Sequence, residues 1–84
     1  MIFQKLYYQG VDVMDNEILK NYIKVYRAKF DWTQEDLAIK VGVTRKTINT
    51  IENSIFIPSA LLALKIARAF NEPVESIFYI VNKE

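Results

Sequence analysis

The sequence predicts an all-α fold: a single domain of five short helices, with a β-prone segment at each end that could pair as a small terminal β-ribbon. Three observations lead there. Between Asp15 and Phe30 the apolar residues Ile18, Leu19, Tyr22, Ile23, Tyr26 and Phe30 recur at steps of three and four, the spacing of one buried helix face. Capping residues stand ahead of each later helix, namely Thr33, Thr44, Ser59 and Pro73. Gly42 interrupts the middle of the chain, where a left-handed residue can stop a helix without steric penalty.

Taken in order, Asp15 is placed to cap the first helix, which would run to Phe30. Thr33 opens the second, Gln34 to about Val41, as a T-x-x-D capping box with Asp36. The third starts after Thr44 and ends near Asn53, because Pro58 and Ser59 mark a loop and a new cap. Leu61, Leu62, Leu64, Ile66, Ala67 and Phe70 make the fourth helix apolar around most of its circumference, so it is expected at the centre, with Asn71 closing it. Pro73 restarts the chain in a short fifth helix through about Phe78. Tyr79, Ile80 and Val81 favour an extended strand, and Ile2 to Tyr8 has the same character. The expected divisions are an extension over 1–14, the helical domain over 15–78 and a tail over 79–84.

Composition narrows the function. The chain has 84 residues, enough for one core, and its 51% apolar and 25% charged content is that of a globular protein rather than a disordered tail. There is no cysteine and no histidine, which removes disulfides, thiol nucleophiles and the commonest zinc ligands. Apolar runs such as Ser59 to Ile66 fall well short of the ~20 residues of a membrane span, and the first ten residues lack the form of a secretory signal. A cytoplasmic protein with no membrane contact is expected. Glu35 and Asp36 point to different helix faces, Glu72 and Glu75 suit a helix start, and no glycine-rich phosphate loop is present, so an enzyme is not expected. The formal charge is only +1, from eleven cations and ten anions, so placement rather than total charge must identify a partner.

That placement is informative in the third helix. At about 100° per residue from Arg45, Asn49, Asn53, Lys46 and Thr50 fall between about 40° and 140°, whereas Ile51 and Ile48 lie near 240° and 300°. Ile48 and Ile51 thus hold down a helix whose opposite face is a continuous stripe of cations, amides and a hydroxyl. Those groups can read base edges in the DNA major groove, and they could equally form a solvated polar face. Two short helices around a Gly-containing turn, the second bearing the stripe, form a helix-turn-helix unit.

Residues 23 to 78 resemble the Cro and phage-repressor family of helix-turn-helix regulators. The likeness runs in order through "IKVYRAKFDWTQEDLA", "VGVTRKTINTIEN", "PSALLALKIARAF" and "VESIF". It implies a five-helix repressor-like DNA-binding domain, acting as a homodimer on double-stranded DNA, with no cofactor and no evident small-molecule ligand. By the same resemblance Arg45, Lys46, Asn49 and Thr50 face bases. Thr33, Gln34, Thr44, Thr47 and Asn53 match positions that touch the sugar-phosphate backbone; Thr44 reads at least equally as a plain helix cap, and the alternative for Thr47 is a half-buried helix residue. Arg27 and Glu52 match an ion pair between the first and third helices. The chain departs from the family at Asp31, where the turn usually has glycine; at Trp32; at "NSIFIPS", in place of a commonly Gly- and Lys-rich turn; at Pro73; and in the thirteen residues before Met14.

Dimerisation is expected through Ile77, Phe78, Tyr79, Ile80 and Val81, joined by the strand-prone residues 2–8, with a start at Met14 as the alternative reading of that end. A protein-interaction adaptor or antitoxin-like partner using the same fold is the alternative function, since fold alone does not specify function.

Overall fold

The structure, a computed structural model, describes residues 16–83. In chain order it comprises strand β1 (Glu17–Asn21), helices α1 (Ile23–Phe30), α2 (Gln34–Val41), α3 (Arg45–Glu52), α4 (Ala60–Ala69) and α5 (Val74–Ile77), and strand β2 (Phe78–Asn82). The strands form one antiparallel pair, Glu17 opposite Asn82 through Asn21 opposite Phe78. The expected strand over residues 2–8 and the alternative start at Met14 lie outside the described residues.

The ribbon corrects the expected first helix. Helical geometry begins at Ile23 rather than after Asp15, and residues 17–21 are strand. Two interactions set the boundary: Asn21 Oδ1 accepts from the Ile23 amide (3.1 Å), an Asx-type start, and the Tyr22 amide donates to the Ile77 carbonyl (2.8 Å). Ile18, Leu19, Tyr22 and Ile23 fit a helical period, but a strand partner at residues 78–82 captures the first two.

Each later helix starts and stops for a local reason. At α2, Thr33 Oγ1 accepts from the Asp36 amide (3.0 Å) and Asp36 Oδ2 accepts from the Thr33 amide (2.8 Å), a complete capping box. Hydrogen bonding to the Asp36 carboxylate, first from the Thr33 backbone amide and then from the Thr33 hydroxyl, holds that carboxyl below its ordinary value. Thr44 and Ser59 cap α3 and α4 through the Thr47 and Leu62 amides. Asp31 (φ 59°), Gly42 (φ 77°) and Asn71 (φ 57°) take the left-handed conformation after α1, α2 and α4.

The core gathers Ile23 from α1, Leu37, Ala38 and Val41 from α2, Ile48 and Ile51 from α3, Ile66, Ala67 and Phe70 from α4 and the residue after it, and Ile77 and Phe78. Trp32 stacks on Phe70 (5.3 Å between centroids), with Phe30 tilted against both, so the bulky residue after the Asp31 turn seals one end of the core. The fourth helix is less central than its composition suggests. It packs on α2 and α5, burying Ile66 and Ala67, while Leu61 and Leu64 remain 66% and 55% exposed. A domain this small has too few elements to cover every side of an apolar helix.

Candidate nucleic-acid interface

Ile48 and Ile51, both essentially buried, fix α3 to the core and turn its opposite side outward. On that side Arg45 and Lys46 are exposed, and Asn49 and Thr50 are half-buried. Arg45 and Lys46 occupy the first turn of α3, which contains no acidic residue. Cations there oppose the helix macrodipole, a cost of about 0.3–1 kcal/mol each at exposed positions. In α2, by contrast, Glu35 and Asp36 fill the first turn, the electrostatically favoured choice. Arg45 and Lys46 are therefore placed against the local stability of their own helix.

A polar relay ties the first three helices together. Arg27 grips Glu52 with two hydrogen bonds, Nε to Oε2 (2.6 Å) and Nη2 to Oε1 (3.1 Å), and donates a third from Nη1 to the Trp32 carbonyl (3.0 Å). Gln34 Nε2 then donates to Glu52 Oε1 (3.1 Å), and Arg45 Nη1 donates to Gln34 Oε1 (3.3 Å). The start of α2 is thereby tied to both ends of α3. Because the Arg27–Glu52 side chains are only 14% and 7% exposed, neither charge could be left alone without a large desolvation cost.

Internal hydrogen bonds also define what each candidate residue can offer. Thr50 Oγ1 donates to the Thr47 carbonyl (2.9 Å), so outward it presents lone pairs and its methyl group. Asn53 Nδ2 donates to the Asn49 carbonyl (2.9 Å) at the end of α3. Thr44 and Thr47 share a hydroxyl contact (3.1 Å), which leaves one proton of the pair for an outside acceptor. Thr33 is exposed at the start of α2 beside the half-buried Gln34, whose amide is engaged at both ends.

Asn21 was not singled out by sequence reasoning. Its Nδ2 donates to the Ile51 carbonyl (2.9 Å), so one amide starts α1 and also supports the last turn of α3. The Asn-x-Ile spacing was the available signal, hidden because the segment fits a helical period. Of the five residues expected at a subunit contact, Ile77 and Phe78 are buried within the subunit's own core (0% and 8% exposed). Tyr79 and Val81 are half-buried and Ile80 is exposed.

Among the described residues, no group of His, Cys, Asp or Glu could hold a metal ion, and no helix is long and apolar enough to cross a membrane. Two short helices, a left-handed glycine turn, and a second helix with a buried isoleucine stripe and an outward donor stripe define a helix-turn-helix domain. The helix-turn-helix family model matches residues 23–77, and the chain belongs to that family, in its Cro/C1-type form.

Its relatives carry names of the same kind. The uncharacterized HTH-type transcriptional regulator YgzD of Bacillus subtilis is 47% identical over 62 residues, 74% of this chain and 94% of the relative. An uncharacterized HTH-type transcriptional regulator of Methanocaldococcus jannaschii is 48% identical over 66 residues, 79% of this chain and all of the relative. The crystal structure of a Bacteroides fragilis protein provisionally described as DNA-binding superposes with a TM-score of 0.67 at 26% identity, over 74% of this chain and all of that one. The family and the relatives from Bacillus subtilis and Methanocaldococcus jannaschii are regulators by name rather than enzymes.

Proposed function

We propose that the chain is a cytoplasmic, sequence-specific double-stranded DNA-binding regulator, a repressor that binds a palindromic operator as a homodimer with α3 in the major groove. The observation that carries this reading is the pair Arg45 and Lys46, set in the first turn of α3 against its macrodipole on the side opposite Ile48 and Ile51. A polyanion converts that placement from a cost into a contact. Arg45, Lys46, Asn49 and Thr50 read base edges, with Thr50 acting through its methyl group or as an acceptor. Thr33, Gln34, Thr44, Thr47 and Asn53 hold the sugar-phosphate backbone, Gln34 donating to phosphate the Nε2 proton that its bond to Glu52 does not use.

A single such domain reads few base pairs, so operator-length specificity calls for two copies with their α3 helices about 34 Å apart. Exposed Ile57 and Ile80, which line one groove with Ile18 and Leu19, and exposed Leu61 and Leu64 on α4 support a subunit contact there, while Tyr79 and Val81 carry the ribbon's other face. The same surface favours the second reading, an adaptor that docks on another protein. Selection of sites from random duplex DNA, followed by salt titration of the winner, separates the two. Enrichment of a palindrome with steep salt dependence, and a loss of about 1–3 kcal/mol in Arg45→Ala with relaxed preference at one position, is the expected result. No enrichment at low salt would favour the adaptor.

A further inference from the structure

The two ends of α3 are held in different ways. At its start Arg45 bonds to Gln34 of α2. At its end the Asn49 carbonyl accepts from the Asn53 amide and side chain, the Thr50 carbonyl from the Ile55 and Phe56 amides, and the Ile51 carbonyl from the Ser54 amide. Those donors all lie in the segment 53–56 that α3 runs into, so they close the helix without tying it to another element. Among the described residues one donor reaches these carbonyls from elsewhere in the fold: Asn21 Nδ2, 2.9 Å from the Ile51 oxygen. Asn21 is itself firmly placed. It pairs with Phe78 at the end of the ribbon, the amide of the next residue donates to the Ile77 carbonyl, and its own Oδ1 accepts from the Ile23 amide at the start of α1.

We infer that Asn21 is a positioning residue for sequence discrimination: from the ribbon it sets the direction of the last turn of α3, and with it where Asn49 stands against a base edge. The inference rests on the DNA-binding reading and adds to it a residue outside both the base-contacting and the backbone-contacting sets. The other tethers at that end leave slack. Ile48 and Ile51 contribute burial, which is non-directional, and Arg27 reaches Glu52 through two long side chains, whereas Asn21 bonds the helix backbone itself from a short one. Eight residues make α3 about 12 Å long, so a swing of about 5° about its first turn displaces the last by about 1 Å. A hydrogen bond tolerates only about 0.5 Å in donor–acceptor distance, so a swing of that size breaks a base contact. Arg45 sits at the pivot and moves least, while Asn49, a turn further on, moves more. Phosphate contacts carry no sequence information directly, so a loosened α3 loses discrimination before it loses general affinity.

Two variants of the full chain separate this role from simple support of the fold. Asn21→Ser keeps a short oxygen for the start of α1 but places no donor as far out as the Ile51 carbonyl. Asn21→Asp keeps the acceptor for the Ile23 amide and turns a carboxylate oxygen toward that carbonyl. Each is titrated on an operator duplex selected from random DNA and on an unrelated duplex. Asn21→Ser is expected to lose about ten-fold on the operator and less than about two-fold on the unrelated duplex, with the salt slope unchanged on both. Asn21→Asp should lose more on the operator. A merely structural role would lower the folded fraction and weaken both duplexes by one factor, so the ratio of the two affinities reports alignment even where a thermal melt shows lost stability. Site selection repeated with Asn21→Ser should relax the position that Asn49→Ala relaxes and spare the one that Arg45→Ala relaxes. A native ratio in either variant would overturn the inference, as would relaxation confined to the Arg45 position. A native chain that selects no site at low salt sinks the DNA-binding reading and this inference with it, whereas a native chain that selects a site and an Asn21→Ser variant that discriminates equally well sink only the positioning role.

Discussion

Helices α3 and α4 each bury one narrow stripe, but α3 presents Arg45, Lys46, Asn49 and Thr50 outward, whereas α4 presents Leu61 and Leu64. The two stripes are built from similar groups, Ile48 and Ile51 in one and Ile66 and Ala67 in the other. Burial therefore says little about what the helices are for, and the outward side chains say more. A polar stripe on α3 is stable in water and suits a hydrated, charged partner. Exposed leucines on α4 are tolerated in water and gain by being covered. A domain with both surfaces can meet two different kinds of partner at once.

The largest effect is expected on the buried side of α3. Ile51→Ala removes a fully buried side chain from α3 and should cost about 2–5 kcal/mol by urea denaturation. A loss below ~1 kcal/mol would mean that α3 is held mainly by its polar relay. Glu52→Ala tests that relay directly. It strands Arg27 and should cost about 3 kcal/mol, with Glu52→Gln recovering part of the loss by keeping an acceptor for Gln34. Equal stability of the two variants would show that the charge matters and the hydrogen bond does not. Gly42→Ala should cost about 1 kcal/mol in a thermal melt, since its φ of 77° penalises any Cβ while among the described residues no atom stands within 4 Å to clash. A much larger loss would point to a steric constraint rather than backbone strain. Smallest of all, Leu64→Ser should leave subunit stability within about 0.5 kcal/mol. A penalty like that of Ile51→Ala would erase the distinction drawn between the two helices.

What was legible in the sequence follows from how local each signal is. Thr33, Thr44 and Ser59 cap helices through amides three residues away, and Gly42 and Asp31 act through their own φ, so these boundaries can be read without knowing the rest of the fold. The gathering of Arg45, Lys46, Asn49 and Thr50 on one side of a helix is equally local, being a matter of period. Arg27 and Glu52 were linked only through resemblance, since nothing in their spacing brings residues 25 apart into contact. β1 was lost because its fate is decided by residues 78–82. Ile18 and Leu19 suit a helix face until a strand offers its backbone groups. The exposure of Leu61 and Leu64 was illegible for a related reason: whether an apolar helix is covered depends on how many other elements the chain can supply.

The ribbon that pairs Glu17 with Asn82 also bears on the order in which the molecule assembles. The contacts of α2 with α3 join neighbours in the chain and cost little loop entropy, whereas β1 and β2 must close nearly the whole described chain before their first hydrogen bond forms. The ribbon should therefore form after the folding barrier is crossed, on a helical nucleus already in place. Leu19→Ala and Val81→Ala would then accelerate unfolding and leave the folding rate nearly unchanged in a stopped-flow chevron. A slowed folding arm would put strand closure in the nucleus instead. Late closure makes the ribbon a latch: Asn21, which bonds to both α1 and the last turn of α3, is drawn into position when the strands pair, so the support it gives the end of the donor helix arrives with the final step of folding.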